Sequence, residues 1–192
     1  MRIWTRFRWG VVITSVVLLV GTTAAIAATV VCEGQPVTQT AGTNGDDIIT
    51  GTDGDDVINA RGGNDTVSPG AGNDLVCGSD GDDKVVFSPG NDRINGGNGN
   101  DDLEGGSGDD SIEGHNGDDE LQGGNGNDSL SGGPGNDNLQ GAAGNDQIQG
   151  GAGDDMLVGG MGSDILNGGL GVDTCYDEEP GTIFRNCEVI LP

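Results

Sequence analysis

Between Gly42 and Tyr176 an aliphatic residue returns at every ninth position. The series runs Ile49, Ile58, Val67, Val76, Val85, Ile94, Leu103, Ile112, Leu121, Leu130, Leu139, Ile148, Leu157 and Leu166, and Cys175 closes it. Its neighbours on either side are mostly polar, the period-2 pattern of a short half-buried strand. Fifteen nine-residue units follow one another without insertion or deletion, as in GGNGNDDLE (Gly96–Glu104) and GGNGNDSLS (Gly123–Ser131). Each unit reads as a turn followed by a three-residue strand, which is half of a coil. Two units make an eighteen-residue coil, so residues eighteen apart stack at about 4.7–4.9 Å, the spacing of neighbouring strands. The expected fold class is all-β: a right-handed parallel β-roll, a β-helix solenoid, of about seven and a half coils over residues 42–176.

The polar positions are as regular as the apolar one. Position 4 is Gly in every unit, from Gly45 to Gly171, and position 1 is Gly in twelve, with Ala60, Pro69 and Phe87 in the others. Glycines at positions 1 and 4 are expected to supply the φ > 0 conformations of a tight turn and to let the chain approach an ion closely. Position 6 is always Asp. One edge of the roll then carries Asp47, Asp65, Asp83, Asp101, Asp119, Asp137, Asp155 and Asp173. The other carries Asp56, Asp74, Asp92, Asp110, Asp128, Asp146 and Asp164.

Two carboxylates about 4.8 Å apart repel by a few kcal/mol at an effective dielectric of about 20. Such a column is expected to persist only with cations between its members. Carboxylates and turn carbonyls are hard oxygen ligands that suit Ca²⁺, whereas Mg²⁺ demands stricter octahedral geometry and keeps its water. All fifteen Asp are therefore candidate metal ligands. Seven gaps on one edge and six on the other give room for thirteen Ca²⁺, whose charge nearly cancels the formal −25 of the chain.

Composition sharpens this reading. Gly makes up 40 of 192 residues and aromatics only 3%. With that charge and so few apolar side chains, the chain is expected to be disordered without metal and to fold when calcium binds. So acidic a protein is not expected to bind nucleic acid. His115 is the sole His, which argues against Ser-His-Asp and His-metal chemistry, and no enzyme activity is expected. Position 3 is irregular (Asn44, Asp53, Gly62, Ala71, Asp80, Pro89), unlike the Thr columns of an ice-binding face.

The ends differ from the repeats. Residues 1–28 read as a secretory signal peptide: Arg2, Arg6 and Arg8, an apolar run from Val11 to Val20, then Ala25-Ile26-Ala27. The alternative is an uncleaved anchor reaching Val31. A secreted, extracellular protein is expected, with no membrane contact after cleavage. Residues 29–41 read as an N-terminal cap, with Ile48, Val57 and Leu75 forming an apolar strip beneath it. Residues 177–192 read as a C-terminal cap, since solenoids need covered ends.

Cys32, Cys77, Cys175 and Cys187 allow three pairings, of which the end-by-end one, Cys32–Cys77 with Cys175–Cys187, is the simplest. No CxxC occurs, which argues against zinc. Unit 6 departs furthest in its turn, with Phe87 and Pro89. Arg61, Lys84 and Arg93 cluster nearby, either as a contact site or as tolerated drift.

The unit G-G-x-G-x-D-x-U-x resembles the RTX, or haemolysin-type, calcium-binding nonapeptide repeat over residues 42–176. That resemblance implies a β-roll binding Ca²⁺ between successive turns through position-6 carboxylates and backbone carbonyls. The flanks TVVCEGQPVTQTAGTNGDDIITGT and CYDEEPGTIFRNCEVI resemble those of small secreted actinobacterial calcium-binding proteins. Toxin and protease members add a catalytic or pore-forming domain, for which this chain has no room, so those activities are not carried over. The expected function is a secreted calcium-binding module. The alternative is a structural or adhesive cell-envelope protein in which calcium is only scaffold. The sequence names no protein or glycan partner.

Overall fold

The computed structural model describes residues 31–38, 41–86, 88–177 and 179–191; the signal segment and Phe87 lie outside them. The described chain is all strand and winds as a parallel β-solenoid of about eight turns. Strands that begin at position 7 of odd-numbered units build one sheet and those that begin there in even-numbered units the other. The register is eighteen residues throughout: Leu103 lies over Leu121, Leu121 over Leu139 and Leu139 over Leu157. Position-8 side chains from both sheets meet in a single core, almost all at 2% exposure or less. One such side chain contributes about 1.5–3 kcal/mol, less than the cost of ordering nine backbone residues. Hydrogen bonding and the turns must supply the rest.

The strands are longer than the sequence pattern suggests. Most run six residues, as in Asp102–Ser107 and Ser111–Asn116, covering positions 7–9 of one unit and 1–3 of the next. The turn proper is therefore confined to positions 4–6. Its glycines also work differently from the expectation. The left-handed conformations fall at positions 2 and 4, as at Gly97 (φ 120°) and Gly99 (φ 133°), not at position 1. Arg61, Ser79, His115 and Ala142 stand at position 2 with φ between 77° and 93°, conformations that non-glycine residues adopt only at a cost.

The C-terminal segment extends the roll. Ile183–Arg185 adds to the even sheet with Phe184 over Leu166, and Val189–Leu191 adds to the odd sheet with Ile190 paired to Cys175. At the other end, Val31–Cys32 and Gln35–Pro36 form a small antiparallel pair. Disulfides join Cys32 to Cys77 and Cys175 to Cys187, the end-by-end pairing. The N-terminal segment lies on the even sheet, where Thr38 N–H donates to the Val57 carbonyl and Arg93 pairs with Glu33 at 2.8 Å. Val57 and Leu75 are half-buried there, but Ile48 belongs to the other sheet and is 87% exposed, so it is no part of that strip. Lys84 pairs with Asp102 in the next coil. Lys84 and Arg93 are thus used inside the fold.

Candidate metal centre

Every position-6 Asp stands where the turn enters its strand. From Asp65 onward, each Oδ1 accepts the backbone N–H of the Asp eighteen residues earlier. Asp83 N–H donates to Asp101 at 2.8 Å, Asp101 N–H to Asp119 at 2.8 Å, and Asp119 N–H to Asp137 at 2.9 Å. The same bond spans every gap, from Asp47–Asp65 and Asp56–Asp74 to Asp146–Asp164 and Asp155–Asp173. The carboxylates of a column therefore do not face each other bare. Each has one oxygen engaged by backbone.

The other oxygen is the chemically open one. In Asp65, Asp74, Asp83, Asp101, Asp110, Asp119, Asp128, Asp137, Asp146, Asp155, Asp164 and Asp173, Oδ2 is buried with no hydrogen-bond partner. A carboxylate is an acceptor only, and burying one without a partner is costly. The side chains are themselves almost wholly buried, Asp101 at 2% and Asp110 at 3% exposure. Burial first, and then neighbouring carboxylates, push the pKa up to about 7 at Asp101 and Asp110. Asp83, Asp137 and Asp146 rise to about 6 for the same reasons. Such an oxygen calls for a proton or a cation.

Position 1 explains how a cation fits. A Cβ added to Gly114 would run into Asp119 Oδ2 and would lie 2.9 Å from the carbonyl oxygen of Gly132, two units on. Gly105 stands in the same relation to Asp110 and Gly123, and Gly150 to Asp155 and Gly168. In these units glycine at position 1 serves space rather than φ: it leaves a cradle where an unshared carboxylate oxygen and a main-chain carbonyl converge. Hard oxygen donors of this kind fit Ca²⁺.

Three units depart. Thr43 donates both its N–H (2.6 Å) and its Oγ (2.9 Å) to Asp47 Oδ2, and Thr52 does the same to Asp56 at 2.7 and 2.9 Å. Ser88 Oγ donates to Asp92 Oδ2 at 2.6 Å. The Thr43 hydrogen bonds hold the Asp47 pKa below the usual carboxylate range. Neither Thr43 and Thr52 nor Gly45 and Gly54 adopt the left-handed conformation seen in later turns. Ser79, which does, leaves Asp83 Oδ2 unpartnered. These hydroxyl-held carboxylates do not follow from the repeat pattern, although Thr at position 2 distinguishes units 1 and 2 from all others.

A second ladder, at position 5, also escapes a nine-residue reading. Its side-chain Oδ1 accepts the N–H of the position-5 residue eighteen later, at 2.8–3.0 Å through Asp46, Asn64, Asp82, Asn100, Asp118, Asn136 and Asp154. Asp and Asn alternate strictly on this edge, so exposed carboxylates stand two coils apart. The order is legible only when the sequence is read in steps of eighteen. His115, by contrast, is exposed beside Glu113 (3.3 Å) and Asn95 (2.8 Å).

The tail completes the inner ladders with other residues. Asp164 N–H donates to Thr182 Oγ at 3.3 Å, and Asp173 N–H to Glu188 Oε2 at 2.8 Å. Thr182 stands eighteen residues after Asp164, but Glu188 only fifteen after Asp173. The segment therefore continues the winding as two degenerate units.

Fold and turns together define the class: a parallel β-roll built from stacked, carboxylate-bearing glycine turns. A family model described as the RTX calcium-binding nonapeptide repeat (four copies) matches residues 41–76, 77–112, 104–139, 113–148 and 140–175. The chain belongs to that family. No match was found among curated proteins.

Proposed function

We propose that this protein is a secreted calcium-binding module that folds as calcium enters the cradles between stacked turns. The observation that carries the reading is the row of twelve buried, unpartnered Oδ2 atoms. The ligands assigned are the position-6 Asp side chains with the position-1 carbonyls two units on. Calcium supplies the positive charge that these oxygens lack. The chain's own part is to present them: the Oδ1 hydrogen bond fixes each carboxylate, glycine at position 1 keeps the cradle open, and the position-8 core holds the coils in register. Binding that needs the wound turn adds its free energy to folding. Two disulfides agree with an oxidising, extracellular setting. No catalytic role is assigned to His115 or to the carboxylates.

Circular dichroism against free Ca²⁺ tests this. The full chain should be largely unstructured in excess chelator and gain β signal cooperatively at the roughly 10⁻⁴–10⁻³ M typical of extracellular sites. A chain equally β-rich with and without calcium would overturn the proposal.

A further inference from the structure

The cradles are not all alike, and the last one on the even edge has a different set of oxygens. At Gly159 the added Cβ would lie 2.5 Å from Asp164 Oδ2 and 2.5 Å from Asp177 Oδ2. The two carboxylate oxygens are therefore no more than twice that distance apart. Beside Gly105, Gly114, Gly141 and Gly150 the second oxygen at this place is a neutral main-chain carbonyl; here it is a second carboxylate. Asp177 occupies position 1 of the degenerate unit that follows Tyr176, and it turns its side chain back into the roll. It is 8% exposed and Asp164 is 1% exposed.

Each partner is built in. Asp164 Oδ1 accepts Asp146 N–H at 2.8 Å, which leaves Oδ2 buried and unpartnered. Asp177 Oδ1 accepts Glu179 N–H at 2.9 Å, and Thr182 Oγ donates to Asp177 Oδ2. Thr182 Oγ also receives Asp164 N–H, so one hydroxyl ties the two carboxylates to the same turn. Two buried carboxylates converging without a counter-charge are mutually repulsive, and a divalent cation between them relieves both at once. On the odd edge the equivalent place beside Gly168 holds Asp173 Oδ2 and the neutral Asn186 carbonyl.

We propose that Asp177 and Asp164 form a terminal divalent-cation site, distinct in ligand set from the repeat cradles and the first in the roll to fill. Calcium affinity rises with the number of charged ligands in a site. The proposal rests on the calcium reading above and adds a ligand that lies outside the repeat motif. The site also carries its own reporter. Tyr176, the sole Tyr of the chain, is the residue next to Asp177, whereas both Trp lie at residues 4 and 9.

Tyr-sensitised terbium luminescence on the full chain, with disulfides intact, tests the site, with calcium calorimetry alongside. In the wild type the first equivalent of Tb³⁺ should produce most of the sensitised emission, and Tyr176→Phe should remove it. The first calcium should bind at least about tenfold more tightly than the mean of the rest. Asp177→Asn keeps an acceptor for Glu179 N–H but removes the charge. It should abolish the early emission and the tight class while the later cooperative transition remains. An Asp177→Asn isotherm identical to wild type, or a wild type without a tight class, would overturn the proposal while leaving the calcium reading intact. A pair that shares a proton instead would show no tight class at any pH above neutrality, which rejects the site equally. If Asp177→Asn does not fold in saturating calcium, Asp177→Glu decides: restored early emission supports the site, and a bulk transition without it rejects the site. Loss of all calcium response in the wild type would instead strike the underlying reading.

Discussion

Units 1 and 2 and units 7 to 15 share the same motif and the same position-6 Asp, yet they treat that carboxylate in opposite ways. In the first two, Thr43 and Thr52 donate two hydrogen bonds each and leave Asp47 and Asp56 Oδ2 satisfied within the unit. From unit 7 onward position 2 is Gly in most turns, the backbone there is left-handed, and Oδ2 is buried with no donor. One residue at position 2 thus separates a turn that is complete in itself from one that requires something from outside. The N-terminal turns are further tied down by Cys32–Cys77 and by Thr38, whose Oγ accepts Val57 N–H at 2.7 Å.

The widest separation between the regions should appear on removing calcium. In chelator, amides of units 7–15 should exchange at close to unstructured rates, while those of residues 43–59 should exchange at least about tenfold more slowly. Hydrogen-exchange mass spectrometry checks this, and uniform exchange along the chain would erase the contrast. Next in size is Gly114→Ala, which places a methyl against Asp119 Oδ2. It should raise the calcium concentration at the folding midpoint several-fold, because one cradle is blocked and adjoining coils lose a shared contact. Ala60, at position 1 of unit 3, shows that the fold admits a methyl there in a wholly buried setting. The variant should therefore still fold in excess calcium, as circular dichroism would show.

The two regions should also respond to acid with opposite sign. Burial first, then neighbouring carboxylates, raise the pKa of Asp101 and Asp110 to about 7 in the folded chain. A carboxyl whose folded pKa lies above its unfolded value stabilises the fold below the unfolded pKa and loses that contribution as pH rises through the folded one. In chelator, lowering the pH from about 8 to about 5 should therefore increase β content, with protons taking the place of calcium. Asp47 is the reverse: the Thr43 hydrogen bonds lower its pKa, so its contribution is present above the unfolded value and fades on acidification. A β signal in chelator that falls steadily from about pH 8 to about pH 5 would contradict this assignment. The smallest effect belongs to Thr52→Val. It deletes one hydroxyl bond to Asp56 and keeps the backbone one, so urea unfolding in calcium should show a loss of about 1 kcal/mol.

The winding is legible in the sequence because its signals recur at one fixed period: the position-8 aliphatics, the position-6 Asp and the paired half-coils all appear in any unit. Position favours the end-by-end disulfide pairing as the simplest, although four Cys by themselves allow three. What the sequence hides has a different origin. The roles of the glycines are hidden because a residue required by space and one required by φ look identical in sequence. The tail reads only as a cap because Thr182 and Glu188 replace Asp, and because Glu188 breaks the eighteen-residue step. Asp177 carries no repeat signature. Its importance comes from folding back onto Gly159, a contact between segments that no local pattern encodes.

The alternating Asp and Asn of the outer ladder bears on how the chain avoids winding errors. The core and the inner ladder are nearly uniform, so a misfolded roll that looped out one whole coil would still stack aliphatic on aliphatic and Asp on Asp. The odd-edge outer ladder would resist the omission of any coil that carries its Asn. Losing Asn100 would set Asp82 directly against Asp118, and losing Asn136 would set Asp118 against Asp154, at about the 4.8 Å strand spacing. The even edge, running Asp55, Asn73, Asn91, Asp109, offers no such check for a single lost coil. One face of the repeat thus distinguishes its Asn-bearing coils from the rest, which the core and the inner ladder leave alike.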